Sequence, residues 1–259
     1  MELLANKVGL VFGVANERSI AWHIARNAMA HGAVCGFPYL PGEKMERRVK
    51  KTLEDGGAAG AWLQPCDVTC DGDLDILFAA AASRFGCLDF VVHSVAYADR
   101  EYLQPGRFAD TSRDAFAQAL DISVYSLLAI ARRARPLMTQ GGSILTLSYY
   151  GAEKAAAGYN VMGVAKAALE SSVRYLAAEF GPAGIRVNSL SAGPCRTLSA
   201  MAVGGIDDIL TKVEATAPLR RNIETDEVGK AAVYLLSELS SGVTGETHHV
   251  DAGYSAIVT

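Results

Sequence analysis

Short apolar runs alternate with helical-period stretches along almost the whole chain. Residues 8–12 (Val-Gly-Leu-Val-Phe) form the first run, and 19–31 the first amphipathic stretch, with Ile20, Ile24 and Ala28 at helical spacing. The same pattern predicts strands over 33–39, 61–64, 88–94, 143–148, 185–190 and 247–251, and helices over 43–55, 72–85, 113–138, 159–180 and 225–239. Strands that are apolar on both faces and regularly interleaved with helices need cover on both sides. The expected class is therefore α/β: a doubly wound, seven-stranded parallel sheet of Rossmann type with helices on both faces. No proline- or serine-rich linker breaks the alternation, so residues 1–259 read as a single domain.

Composition narrows what such a domain can do. Half of the residues are apolar and 20% are charged, enough to fill a large core. A net charge of −4 and a pI near 5.8 leave no basic field for nucleic acid. The first residues, Met1 to Lys7, lack the basic and apolar regions of a signal peptide, and no unbroken apolar run approaches about 18 residues. A cytoplasmic protein without a membrane segment is expected. The five cysteines, Cys35, Cys66, Cys70, Cys87 and Cys195, are scattered, which predicts reduced thiols and no metal site.

The chemistry concentrates between residues 143 and 180. A buried strand leads through Tyr149, Tyr150 and Gly151 to Tyr159, which opens an Ala-rich helix carrying Lys166. Seven residues turn a helix by about 700°, so the phenol and the ammonium share one face about 10 Å apart. A nearby cation can lower a phenol's pKa, and a phenol can donate to an oxygen that becomes anionic. A solvated helix face would carry the same two residues. Residues 13–21, from Gly13 through Ser19, Ile20 and Ala21, form a turn that feeds a helix N-terminus, which suits a pyrophosphate with Ser19 as the cap. The G-x-G-x-x-G spacing is absent, and a plain strand-to-helix turn would look similar. Asp67, just past the third strand, is placed either to accept from an adenine amino group or to cap the next helix.

Taken together, these segments resemble the bacterial enoyl-acyl carrier protein reductases, a divergent branch of the short-chain dehydrogenase/reductase superfamily. The likeness rests on Gly13 with Ser19-Ile20-Ala21, Cys66-Asp67-Val68, His93-Ser94-Val95-Ala96, Asp121 to Ser126, Leu145 to Tyr149, and Ser191-Ala192-Gly193-Pro194-x-Arg196-Thr197. Its most specific mark is Tyr159-x-x-Met162-x-x-x-Lys166. Six residues separate Tyr from Lys, where most of the superfamily has three.

The resemblance implies a dinucleotide-binding catalytic domain that transfers hydride from NADH to C3 of a trans-2-enoyl thioester in fatty acid biosynthesis. It implies that Tyr159 donates to the thioester oxygen, that Lys166 holds the nicotinamide ribose, and that Tyr149 lines the acyl site unless it is simply a packing aromatic. By the same likeness Gly13, Ser19 and Ile20 hold the pyrophosphate and ribose, Asp67 and Val68 the adenine, and Val95 the cofactor edge. Cys195, Arg196, Thr197 and Leu198 close on the carboxamide, and Ala98 faces substrate.

Leu40, where many relatives carry a polar or basic residue, cannot bind a 2′-phosphate and favours NADH over NADPH, although Lys44, Arg47 and Arg48 lie near. A homotetramer and an acyl carrier protein or CoA thioester are implied as partners. A mobile substrate-covering segment is expected at about 195–215, given backbone freedom by Gly204 and Gly205. There Asp207 and Asp208 stand where relatives often carry basic residues, and would repel an acidic carrier unless Lys212, Arg220 and Arg221 dock it. A carbonyl or 3-oxoacyl reductase, or a non-catalytic NAD(H)-binding paralogue, remains as an alternative on the same scaffold.

Overall fold

Each apolar run becomes a strand because its neighbours cover it from both sides. In this computed structural model, which describes residues 2–198, 200–202 and 205–257, the order is β1 (Val8–Phe12), α1 (Ile20–Ala30), β2 (Val34–Tyr39), α2 (Glu43–Asp55), β3 (Leu63–Pro65), α3 (Asp71–Phe85) and β4 (Phe90–His93). It continues with α4 (Arg113–Leu120), α5 (Ser126–Ala134), β5 (Gly142–Ser148), α6 (Asn160–Phe180), β6 (Ile185–Ala192), α7 (Ile206–Thr216), α8 (Thr225–Leu236) and β7 (Thr247–Val250).

Successive strand residues point to opposite faces. Val11, Leu145 and Leu190 therefore pack with Ile24, Ala28, Val228 and Ala232 of α1 and α8. Leu10, Phe12, Val91 and Ile144 pack with Leu77, Ile130, Leu169 and Val173 of α3, α5 and α6.

The seven strands are all parallel in the order β3-β2-β1-β4-β5-β6-β7, the expected Rossmann-type sheet. Strand order reverses between β1 and β4, and a crevice at their carboxyl ends is where ligands of such sheets sit. Gly13 closes β1 there at φ 95°, and a Cβ on it would lie 2.0 Å from the Ser94 carbonyl oxygen that follows β4. Only glycine allows both the left-handed turn and that approach.

Three expectations are corrected. The third strand is shorter and shifted, covering Leu63–Pro65 rather than 61–64. The helix expected over 113–138 is broken by a π-helical turn, Asp121–Tyr125, between α4 and α5. That turn lets Ser123 face the loop after β4, where its Oγ accepts from the Tyr97 N–H at 3.0 Å and donates to the Tyr97 carbonyl at 3.1 Å. The stretch after β6, where no helix was predicted, contains α7. This short helix buries Leu210 and Val213 and starts with Asp207 and Asp208, carboxylates that suit a helix N-terminus. Gly204, to which backbone freedom was assigned, lies outside the described residues. Arg133, in the last turn of α5, ties α5 to α3 through Asp75 at 2.6 Å and Asp71 at 2.9 Å.

The combined helix Arg113–Leu137 is long and apolar enough, by length and composition, to cross a membrane. Here it is a core helix, with Leu127, Ile130, Ala131 and Ala134 fully buried.

Candidate active site

Strand β5 delivers Leu147 and Ser148 to the carboxyl edge of the sheet, and Tyr149 follows in extended conformation. After a short turn the chain reaches Tyr159, which is the N-cap of α6 rather than part of its first turn. The two rings meet edge to face, with centroids 4.8 Å apart and planes at 69°. Gly151 makes this possible, since a Cβ there would stand 2.6 Å from the Tyr159 ring. Neither phenol oxygen has a hydrogen-bond partner among the described residues, so both hydroxyls are free to donate. Beside Tyr159 lies a small apolar cluster of Ala98, Leu103, Val161, Met162 and Ala165. Among the described core clusters it is the one against which Tyr159 packs.

Asn160, next to Tyr159, adopts φ 45°, a left-handed conformation that Asn tolerates better than most residues. Its Nδ2 donates to the carbonyls of Tyr102 at 2.6 Å and Gln104 at 2.7 Å, tying the loop after β4 to the start of α6. Replacement of Asn160 by Ala should remove both bonds and strain the backbone. A stability loss of about 1–3 kcal/mol in urea unfolding is expected, and a loss below about 0.5 kcal/mol would refute the assignment.

Lys166 is buried and its Nζ donates to the Leu147 carbonyl at 2.6 Å. Burial lowers its pKa to about 8, with Glu170 pulling the other way. The expected lowering of the phenol by this cation is not found. Burial, then Tyr149, raise the Tyr159 pKa above its usual value, and burial pushes Tyr149 up to about 12. Near neutral pH the site therefore presents two protonated phenols, able to donate hydrogen bonds to a developing anion, with the Lys166 ammonium held further along α6.

His93, at the end of β4, is a satisfied core residue. Its Nδ1 and Nε2 each lie 2.8 Å from a hydroxyl, of Thr146 and Ser126. Ser126 commits its proton to the Ile122 carbonyl at 2.6 Å, so neutral His93 donates from Nε2, and the Thr146 hydroxyl divides its one proton between Nδ1 at 2.8 Å and the His93 carbonyl at 3.2 Å.

The nucleotide half of the crevice also fits its group. Ser19 stands at the N-cap of α1 but does not cap it, contrary to expectation. Its Oγ accepts from the N–H groups of Ala15 at 3.1 Å and Asn16 at 3.0 Å, which folds the turn after Gly13. The first-turn N–H groups of α1 thus have no side-chain cap, an arrangement that favours a phosphate.

Asp67 is not a helix cap. Its Oδ1 accepts from the Thr69 N–H at 2.9 Å and hydroxyl at 2.7 Å, and the cap position of α3 belongs to Cys70. Val68 and Val95 are part-buried against the core on the α3 side of the sheet. Beyond β6, Cys195 turns inward, its thiol donating towards the Gly193 carbonyl, so this residue can offer a ligand only its backbone. Arg196 pairs with Asp207 at 2.8 Å, Thr197 Oγ1 accepts from the Ala200 N–H, and Leu198 is exposed. Leu40 is exposed just past β2. Glu170 and Ser148 were not singled out from sequence, although the four-residue spacing from Lys166 to Glu170 is a signal for a shared helix face.

Comparison with known proteins agrees with this geometry. The family model for enoyl-(acyl carrier protein) reductase matches residues 13–255. The NADH-dependent enoyl-[acyl-carrier-protein] reductase 1 of Rhizobium meliloti is 52% identical over 255 residues, covering 98% of this chain and 92% of the relative. The crystal structure of the Bacillus cereus enoyl-acyl carrier protein reductase with NADP+ and indole naphthyridinone superposes with a TM-score of 0.96 at 50% identity, covering both chains completely. The Anaplasma phagocytophilum reductase in complex with NAD gives 0.93 at 49% identity, covering 99% of this chain and 95% of that one. By sequence along nearly its whole length, and by the crevice its sheet builds, the chain belongs to the enoyl-(acyl carrier protein) reductase family.

Proposed function

We infer that this chain reduces the carbon–carbon double bond of a trans-2-enoyl acyl carrier protein thioester with NADH, in fatty acid biosynthesis. The observation that carries the reading is the unpartnered Tyr159 phenol, held against Tyr149 beside the apolar cluster of Ala98 and Met162. When bound, NADH supplies the hydride that adds at C3 of the enoyl group. Charge then moves through C2 to the thioester oxygen, the Tyr159 hydroxyl donates a hydrogen bond to that oxygen, and a proton taken up from solvent at C2 completes the reduction. Lys166 holds the nicotinamide ribose hydroxyls and its charge favours the anionic substrate. Tyr149 shapes the acyl site with Ala98.

Gly13 and Ser19 shape the turn that receives the pyrophosphate, with Ile20 at the open start of α1. Asp67 and Val68 take the adenine, Val95 the cofactor edge, and residues 195–198 the carboxamide. The exposed aliphatic Leu40 offers a 2′-phosphate nothing, consistent with NADH over NADPH.

The segment 195–215 covers the substrate. Its acidity is partly offset within the chain, since Asp207 pairs with Arg196. Arg221 is engaged in two contacts to Glu227, so Lys212 and Arg220 are the cations left to meet a carrier protein. Exposed Tyr125, Leu128, Val164 and Tyr175 on the helices of one sheet face fit contact with further copies of the chain in a homotetramer. The assembly works in the cytoplasm.

The test is loss of nicotinamide absorbance with NADH and either a crotonyl or longer enoyl thioester or a 3-oxoacyl thioester. Turnover with the enoyl substrate alone is expected. Turnover with the oxoacyl substrate alone would make this a 3-oxoacyl reductase, and NADH binding without turnover a non-catalytic paralogue.

A further inference from the structure

The turn between Tyr149 and Tyr159 backs the reacting phenol, and it is gripped from the far edge of the sheet. Its own backbone bonds are short-range: the Ala152 N–H donates to the Tyr149 carbonyl at 2.8 Å and the Glu153 N–H to the Tyr150 carbonyl at 3.0 Å. Such a turn closes on itself and needs tertiary contacts to fix its place. Its backbone lies directly against Tyr159. A Cβ on Gly151 would stand 2.6 Å from that ring, and a Cβ on Gly163 of α6 would stand 2.8 Å from the Gly151 carbonyl oxygen. Packing this close leaves no slack, so any drift of the turn moves the phenol.

Strands β5, β6 and β7 lie side by side, and Ser148, Ser191 and His249 share one row across their carboxyl ends. Ser148 is fixed by its short hydroxyl bond to Glu170 of α6. Successive strand residues point to opposite faces. His248 faces α8, its ring 6.2 Å from that of Tyr234, and His249 faces the other way, towards the turn. There its Nε2 lies 2.8 Å from Glu153 Oε1. A carboxylate can only accept, so Nε2 carries the proton whether the ring is neutral or charged.

A second contact comes from the same end of the chain. Buried Asp251 accepts from the Gly253 N–H at 2.9 Å and the Ser255 N–H at 2.8 Å, which fixes the turn that carries Tyr254. The Tyr254 ring meets that of Tyr150 edge to face, with centroids 6.1 Å apart and planes at 79°. The first and last residues of the turn 150–153 are thus each held by a side chain from 249–254.

We propose that His249 is a positioning residue for the reductase reaction: through Glu153 it pins the turn against Tyr159, so that the phenol stays aimed at the thioester oxygen. This inference rests on the reading of Tyr159 as the donor to that oxygen. The pair is part-exposed, at 30% for His249 and 41% for Glu153, so it adds little to overall stability and acts through geometry.

The test is a set of kinetic cycles on the full chain with NADH and a crotonyl thioester. His249→Leu and Glu153→Ala should each lower kcat roughly tenfold, while the NADH dissociation constant, read by nicotinamide fluorescence, stays unchanged. Glu153→Gln keeps an acceptor for Nε2 and should recover most of that turnover. The double variant should lose no more than either single one. The deciding background is Tyr159→Phe, in which His249→Leu should cost nothing further, because the oxygen it aims is already gone. Glu153→Ala, at an exposed position, carries the same cycle if His249→Leu does not fold.

Full turnover in Glu153→Ala overturns the proposal. So does an equal loss with and without the Tyr159 hydroxyl, which would mark a general structural role. Unchanged turnover in Tyr159→Phe alone would overturn the reading of Tyr159 itself, and the proposal with it.

Discussion

Tyr159→Phe is expected to lower kcat roughly 10²- to 10³-fold, the usual consequence of removing one donor to a developing oxyanion. The substitution deletes a single oxygen that has no partner among the described residues, so nothing in the fold should miss it. The edge-to-face contact with Tyr149 and the close fit over Gly151 belong to the ring, which Phe retains. NADH affinity and the thermal midpoint should therefore stay close to those of the unaltered chain, and the loss should fall on kcat rather than on cofactor binding. The pH profile adds a second check. Because burial raises the Tyr159 pKa, the phenol keeps its proton across the range in which the buried Lys166 titrates, near 8. The alkaline fall in activity should follow Lys166 and not Tyr159. A Phe variant with unchanged turnover would mean that another group receives the charge on the thioester oxygen.

The second large effect concerns acid stability. His93 is fully buried, and burial with the nearby Lys166 charge lowers its pKa to about 3, against an ordinary value of 6.5. Below pH 6.5 the unfolded chain takes up a proton at this residue while the folded chain does not, so stability falls as pH falls until the folded value is reached. From this group alone the loss between pH 7 and pH 4 should be about 3 kcal/mol. Urea unfolding at the two pH values, in the unaltered chain and in His93→Gln, measures it. Gln can donate to Ser126 and accept from Thr146 as the neutral ring does, yet it takes up no proton. The variant should show an acid limb shallower by that amount. Equal limbs would mean that His93 is protonated in the fold and that both hydroxyls accept from it.

Much of this architecture could be read directly from residue order. Runs such as 8–12 and 143–148 are apolar without alternation, and only a strand covered on both faces satisfies them, so the parallel sheet followed from local pattern. The Tyr159, Met162 and Lys166 spacing pointed to a family because it is a chain-local signature, and the family match and relatives bear it out. What the spacing could not carry was environment. That Lys166 is buried, that its neighbour Glu170 is buried with it, and that Tyr159 titrates above rather than below its ordinary value all depend on atoms from β5 and the adjoining turn.

The same division runs through the rest of the chain. Sequence by itself determined the strands, most helices and the turn after β1, because periodicity and turn chemistry act over a few neighbouring positions. Tertiary structure decided the π turn at Asp121–Tyr125, which exists to pair Ser123 with Tyr97, and the inward thiol of Cys195. It also decided the left-handed Asn160 that clamps the loop at Tyr102 and Gln104, and the helix α7, whose two buried residues have meaning only against the core. Hydrogen bonds and desolvation between residues tens of positions apart set these features, and no local pattern encodes them.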